Sequence, residues 1–157
     1  SIEEGVGKMR AAVEGRQDPN LVIAGRTSAV AINGIDDAVS RAKAYEAAGV
    51  DALFFVGVKT KAELEALRSA VDLPFILGGR GPELSDINYL GEQGVRVCLQ
   101  GHHPFMAAVQ AVHDTLKALR DGTAPGDIEG VASGDLMKAV TRDADYDRWM
   151  RTFLGES

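Results

Sequence analysis

The sequence predicts an α/β fold built on a parallel sheet, and three observations predict it. Four short apolar runs alternate with helical patterns, at a spacing of roughly 22 to 28 residues per unit. The loops between them are short, and right-handed strand–helix–strand crossovers make neighbouring strands parallel. The runs end in Arg26, Gly57, Gly79-Arg80 and Gly101-His102, and such sheets collect their chemistry at the carboxyl ends of the strands. The groups gathered there are cationic or neutral, which suits an anionic ligand.

Residues 2–16 read as a helix, with Val6, Met9, Ala12 and Val13 spaced by three and four, and Gln17-Asp18-Pro19-Asn20 ends it. Residues 21–24 (LVIA) form a continuous apolar run, expected of a strand buried on both faces, and stop at Gly25-Arg26-Thr27-Ser28. After an Asn33-Gly34 turn, Asp36 and Asp37 stand where a helix start favours acid. That helix passes through Ala38, Ala42 and Tyr45 to a Gly49 cap. Residues 52–56 are the second strand, and a helix around Leu64, Leu67 and Val71 follows. Residues 74–77 are the third strand, closing on Gly78-Gly79-Arg80-Gly81-Pro82, with a short helix through Ile87 and Leu90. Residues 95–99 are the fourth strand, Gln100 to Pro104 its loop, and a long helix spans about residues 105–120.

Residues 123–134 form a linker rich in Gly, Pro and Ala. Beyond it Leu136, Met137, Val140, Trp149, Met150 and Phe153 make an apolar set suited to one or two amphipathic helices. Such a surface on a terminal extension docks on a neighbouring subunit or lies as a lid over its own core. The expected division is a strand–helix part at 1–122 and a linker with helical extension at 123–157.

Composition narrows the function. Of 157 residues, 45% are hydrophobic and 25% charged, and the net charge is −6. The balance is acidic, with no Lys/Arg run, which argues against nucleic-acid and membrane partners. No apolar stretch approaches the roughly 18 residues that cross a bilayer, and residues 1–5 lack the layout of a signal peptide. The single Cys98 leaves no internal disulfide and sits in an apolar run. A cytoplasmic soluble enzyme, or a fragment of one, is expected.

Four parallel strands permit two architectures: a small doubly wound domain, or half of a (β/α)8 barrel, which needs roughly 200 or more residues to close. The chain opens in a helix, without the strand and phosphate-binding turn that begin a doubly wound domain.

Residues 21–29 (LVIAGRTSA) and 34–56 (GIDDAVSRAKAYEAAGVDALFFV) closely resemble the isocitrate lyase/phosphoenolpyruvate mutase superfamily. Residues 95–105 (VRVCLQGHHPF), the helix bearing Ala107, Ala108 and Ala111, and residues 4–8 (EGVGK) most resemble its oxaloacetate decarboxylase branch. The resemblance implies the carboxyl-terminal half of a (β/α)8 barrel, and a dimer or tetramer whose neighbours exchange their carboxyl-terminal helices. It also implies Mg2+, with carboxylate ligands on earlier strands outside this chain, and a start near the end of a mobile active-site loop.

The implied reaction takes a small α-keto diacid. Decarboxylation needs an electron sink, supplied by a divalent ion chelated through the keto oxygen and its adjacent carboxylate. It also needs a cation to fix a carboxylate, and the planar guanidinium fork does this with two hydrogen bonds. Arg26 is the candidate substrate clamp, its alternative being a structural ion pair at the barrel mouth. His102 is the candidate catalytic and substrate-binding histidine, donating to substrate or enolate or relaying a proton. His102-His103 before Pro104 also resembles a helix start, and His113 reads as surface or packing.

Thr27 and Ser28 either face the site or cap the following loop. The glycines at 78, 79 and 101 suit either phosphate binding or close backbone approach, and Arg80 either reaches the site or lies in solvent. Gly78-Gly79 departs from the polar or aromatic residue expected on the seventh strand, and Val56-Gly57 replaces a Glu found after the sixth strand in many relatives. Asp51 and Asp72 precede strands, the other acids belong to helices, and no metal site is expected here. The alternatives are another C–C or C–P lyase of the superfamily, such as a methylisocitrate-type lyase or phosphonopyruvate hydrolase, and a non-catalytic half-barrel that serves oligomerisation.

Overall fold

The structure, a computed structural model, describes residues 1–155. They form two compact units, Ser1–Gly101 and a second that begins at His102. The first unit runs α1 (Ile2–Gly15), β1 (Ala24–Thr27), α2 (Ala29–Ile32), α3 (Ile35–Ala47), β2 (Ala52–Phe55), α4 (Lys61–Ala70), β3 (Phe75–Leu77), a 3-10 turn (Pro82–Leu84), α5 (Ile87–Glu92) and β4 (Val95–Cys98). The strands stand in the order β1-β2-β3-β4, all pairs parallel.

Local chemistry starts and stops these helices. The Ser1 hydroxyl accepts the Glu4 amide at 3.2 Å at the head of α1. In α4, Thr60 Oγ1 accepts the Glu63 amide while Glu63 Oε2 accepts the Thr60 amide at 3.0 Å. This reciprocal pair satisfies two donors that a bare helix end leaves open. Gly49, at φ 92°, turns the chain out of α3 in the left-handed region that glycine enters without strain.

Side chains alternate across the sheet, so one face buries Leu53, Phe55, Phe75 and Leu77 against Ala42, Tyr45, Leu64, Leu67 and Leu90. Phe55 and Phe75 meet edge to face at 5.1 Å, a favoured aromatic geometry. On the other face the pairing aligns Arg26, Phe54, Ile76 and Val97 in one row. An irregularity between β3 and β4 brings Val97, rather than Arg96, into that row.

The first strand differs from expectation. Leu21 and Val22 are exposed, and β1 covers Ala24–Thr27 instead of residues 21–24. Pairing sets this placement: Ile23 O accepts the Asp51 amide at 2.8 Å, which aligns Ala24 with Ala52. Arg26 therefore lies within the strand, on the exposed side. Burial on both faces is not seen at β1, because the helices of the first unit cover only one of them.

In the second unit α6 (His103–Arg120) is followed by a 3-10 turn (Pro125–Asp127), α7 (Gly134–Thr141), α8 (Asp143–Trp149) and a π-helical turn (Met150–Leu154). Residues 156–157, the end of the expected extension, lie outside the described residues. Arg142 adopts φ 61° where α7 hands over to α8, and its guanidinium stands 5.6 Å from the Trp149 ring. Among the described residues of α6, α7 and α8 none is buried, and Phe105, Met106, Leu116, Leu136, Val140 and Phe153 are exposed.

Candidate active site

The carboxyl end of the sheet brings together the ends of β1, β2 and β3. Arg26 projects on the face opposite the core, its Cζ 5.5 Å from the Phe54 ring centroid. Among the described residues no carboxylate lies within ion-pairing distance of it. A guanidinium on this face without an acidic partner keeps its hydrogen-bonding edge for a ligand. The structural ion pair raised as its alternative is absent among the described residues.

The neighbouring polar groups divide. Thr27 is buried and its Oγ1 accepts the Ala29 amide at 3.1 Å, so it holds the turn into α2. Ser28 is the N-cap of α2, with no side-chain capping bond.

Close backbone approach explains two glycines. A Cβ on Gly81 would meet the Lys59 carbonyl oxygen and lie 2.9 Å from Lys59 Cα. One on Gly57, itself at φ 95°, would stand 2.7 Å from Ala31 Cβ. Between the two loops lies a cleft of about 290 Å³ lined by Gly57, Lys59, Gly78, Gly79, Arg80 and Pro82. Arg80 donates through Nη1 to the Ser85 carbonyl at 3.1 Å, which ties its own loop together. Lys59 carries no motif of its own in the sequence; its one signal is that it lies in the loop after β2, which ends at Phe55.

His102 is exposed and stands at the N-cap of α6, with no side-chain capping bond. Its carbonyl accepts the Met106 amide at 3.0 Å, and Pro104 occupies the first turn. The helix-start reading of His102-His103-Pro104 is therefore correct for the backbone, and it leaves the His102 ring without a capping duty. His113 pairs with Asp114 through Nδ1 at 3.0 Å on the surface. Arg26 belongs to the first unit and His102 opens the second.

Asp51, Asp37 and Glu63 are engaged in structural contacts. Asp51 accepts from Arg16 and from the Ile23 amide, and Asp37 from Arg41 at 2.8 Å, which holds the Asp37 carboxyl below its usual range. The Lys59 and Thr60 amides hold Glu63 low in the same way, with the Lys59 contribution larger. Among the described residues no group of three His, Cys, Asp or Glu side chains is placed to hold a metal ion.

A family model described as phosphoenolpyruvate phosphomutase matches residues 1–120. The chain belongs to the phosphoenolpyruvate phosphomutase family. It is 52% identical over 155 residues to an oxaloacetate decarboxylase of Bradyrhizobium sp. (strain ORS 278), covering 99% of this chain and 54% of that protein. An oxaloacetate decarboxylase of Bradyrhizobium diazoefficiens is 59% identical over 145 residues, covering 92% of this chain and 50% of that one. The crystal structure of a phosphoenolpyruvate phosphomutase from Streptomyces platensis subsp. rosaceus superposes with a TM-score of 0.75 at 23% identity, covering 98% of this chain and 55% of that chain. That likeness bears on the fold alone. The chain spans about half the length of the curated relatives it matches.

Within the phosphoenolpyruvate phosphomutase family the architecture is the expected one: α/β, half of a (β/α)8 barrel with a helical carboxyl-terminal extension. Among the described residues no helix is long and apolar enough to cross a membrane.

Proposed function

We propose that this chain is the carboxyl-terminal half of a Mg2+-dependent oxaloacetate decarboxylase, a lyase that releases CO2 from oxaloacetate and leaves pyruvate. The observation that carries the reading is Arg26, a guanidinium on the open face of the strand ends with no carboxylate partner among the described residues. Similarity to oxaloacetate decarboxylases over nearly the whole chain supports the choice of a small anionic α-keto diacid.

Arg26 clamps a substrate carboxylate through its two-donor edge, which fixes the scissile bond in one pose. The bond electrons of the departing carboxylate pass into an enolate at the former keto group. His102 donates a hydrogen bond to that oxygen or returns a proton to the carbon that lost CO2. The described residues do not fit Mg2+, so the reading puts its ligands on the part of the barrel outside this chain. The working protein is read as a cytoplasmic homo-oligomer in which residues 123–157, beyond the half-barrel of 1–122, pack on a neighbour.

The test is turnover by the full-length protein with Mg2+, corrected for the metal's own uncatalysed decarboxylation. Oxaloacetate should yield pyruvate and CO2 with a higher kcat/KM than methylisocitrate or phosphonopyruvate. Faster cleavage of either of those would transfer the site to another lyase of the family. Inertness towards all three would leave the non-catalytic module.

A further inference from the structure

We infer that Phe54 is the positioning residue for Arg26, an aromatic platform that aims the guanidinium while leaving its donors free. The inference rests on the reading of Arg26 as a carboxylate clamp. Arg26 and Phe54 are register partners on neighbouring parallel strands, on the face away from the core. The guanidinium carbon lies over the ring, 5.5 Å from its centroid, within the range of a cation–π contact.

The choice of partner matters chemically. A carboxylate would orient an arginine by accepting the same N–H groups that the substrate needs. A ring face attracts the cation through its quadrupole and consumes no donor. It also restricts a long side chain before binding, so less rotamer freedom is lost when substrate arrives.

The ring itself is held. Ile76 flanks it as the register partner on β3. A Cβ on Gly78 would stand 3.1 Å from Phe54 Cε2 and 2.8 Å from Val56 Cγ2, so the bare Gly78 backbone leaves the ring its place. Gly78 thus has a role: it makes room for the platform.

The experiment is a kinetic double-mutant cycle in the full-length protein with oxaloacetate and Mg2+, with melting curves for every variant. Phe54→Leu, close in volume but without a ring face, should lower kcat/KM about tenfold, mainly through KM. Phe54→Tyr should recover most of that loss. On top of Arg26→Ala, Phe54→Leu should cost nothing further. Full additivity, or a leucine variant with unchanged KM, overturns the inference while leaving the clamp intact. An Arg26→Ala variant with wild-type kinetics removes the clamp reading itself, and the inference with it. If Phe54→Leu melts out, Gly78→Ala replaces it: the ring is displaced and KM must rise, and an unchanged KM overturns the inference.

Discussion

Arg16 reaches across 35 positions of sequence to donate through Nη1 to Asp51 Oδ2 at 2.7 Å, and the same oxygen accepts the Ile23 amide at 2.8 Å. One carboxylate thereby ties the exit of α1, the approach to β1 and the start of β2. It also removes Asp51 from any list of metal ligands, since its oxygen is engaged at the amino-terminal end of the sheet.

Replacing Asp51 by Ala should therefore destabilise the fold by about 1 kcal/mol, a figure kept small because the side chain is partly open to solvent. Urea unfolding monitored by circular dichroism measures it. An Asp51→Ala variant as stable as the parent would show that the tie contributes nothing.

Gly81→Ala should cost about 1–3 kcal/mol, because the added methyl meets the rigid Lys59 backbone and not a side chain that can swing away. Gly126, with open space around its Cβ position, is the control, and Gly126→Ala should be neutral or slightly stabilising. Equal melting temperatures for the two variants would contradict the close approach.

Tyr89 should make the fold sensitive to alkali. Burial first, and then the hydrogen bond from its hydroxyl to Glu65 at 2.9 Å, push its pKa from 10.0 up to about 12. The folded state holds this proton more tightly than the unfolded chain does. The stabilisation is complete below the ordinary value of 10.0 and is lost as pH rises towards 12. The parent should thus lose melting temperature more steeply than Tyr89→Phe above pH 10.0. Parallel curves for parent and variant would count against it.

Deleting residues 135–157 should lower the oligomeric state seen by native mass spectrometry. The deleted helices expose Leu136, Val140 and Phe153, apolar surface of the kind that a neighbour covers. The same oligomer after deletion would place the subunit interface elsewhere.

The second, third and fourth strands were legible in the sequence because each is a compact apolar run bounded by Gly, Pro or Asp. The first was not. Residues 21–24 are the more apolar stretch, yet Leu21 and Val22 are exposed and the strand begins at Ala24. An unbroken apolar run carries no period, so nothing local sets its register. The single turn α2 was invisible for a related reason: four residues are too few for a helical pattern to declare itself. Among the site candidates, Arg26 and His102 were readable as polar groups that end apolar runs. Lys59 and Phe54 were not, since one looks like any loop lysine and the other like core.

By itself, then, the sequence determined the alternation of strand and helix, the parallel sheet and the cationic character of the strand ends. Periodicity and turn residues are properties of neighbouring positions, and these features follow from them. The tertiary structure alone decided that Arg26 sits within β1 above the Phe54 ring, that Asp51 and Glu63 are occupied by amides, and that Gly81 is pressed against Lys59. Each of those depends on a contact between segments, set by hydrogen-bond register and packing, which no local pattern of residues encodes.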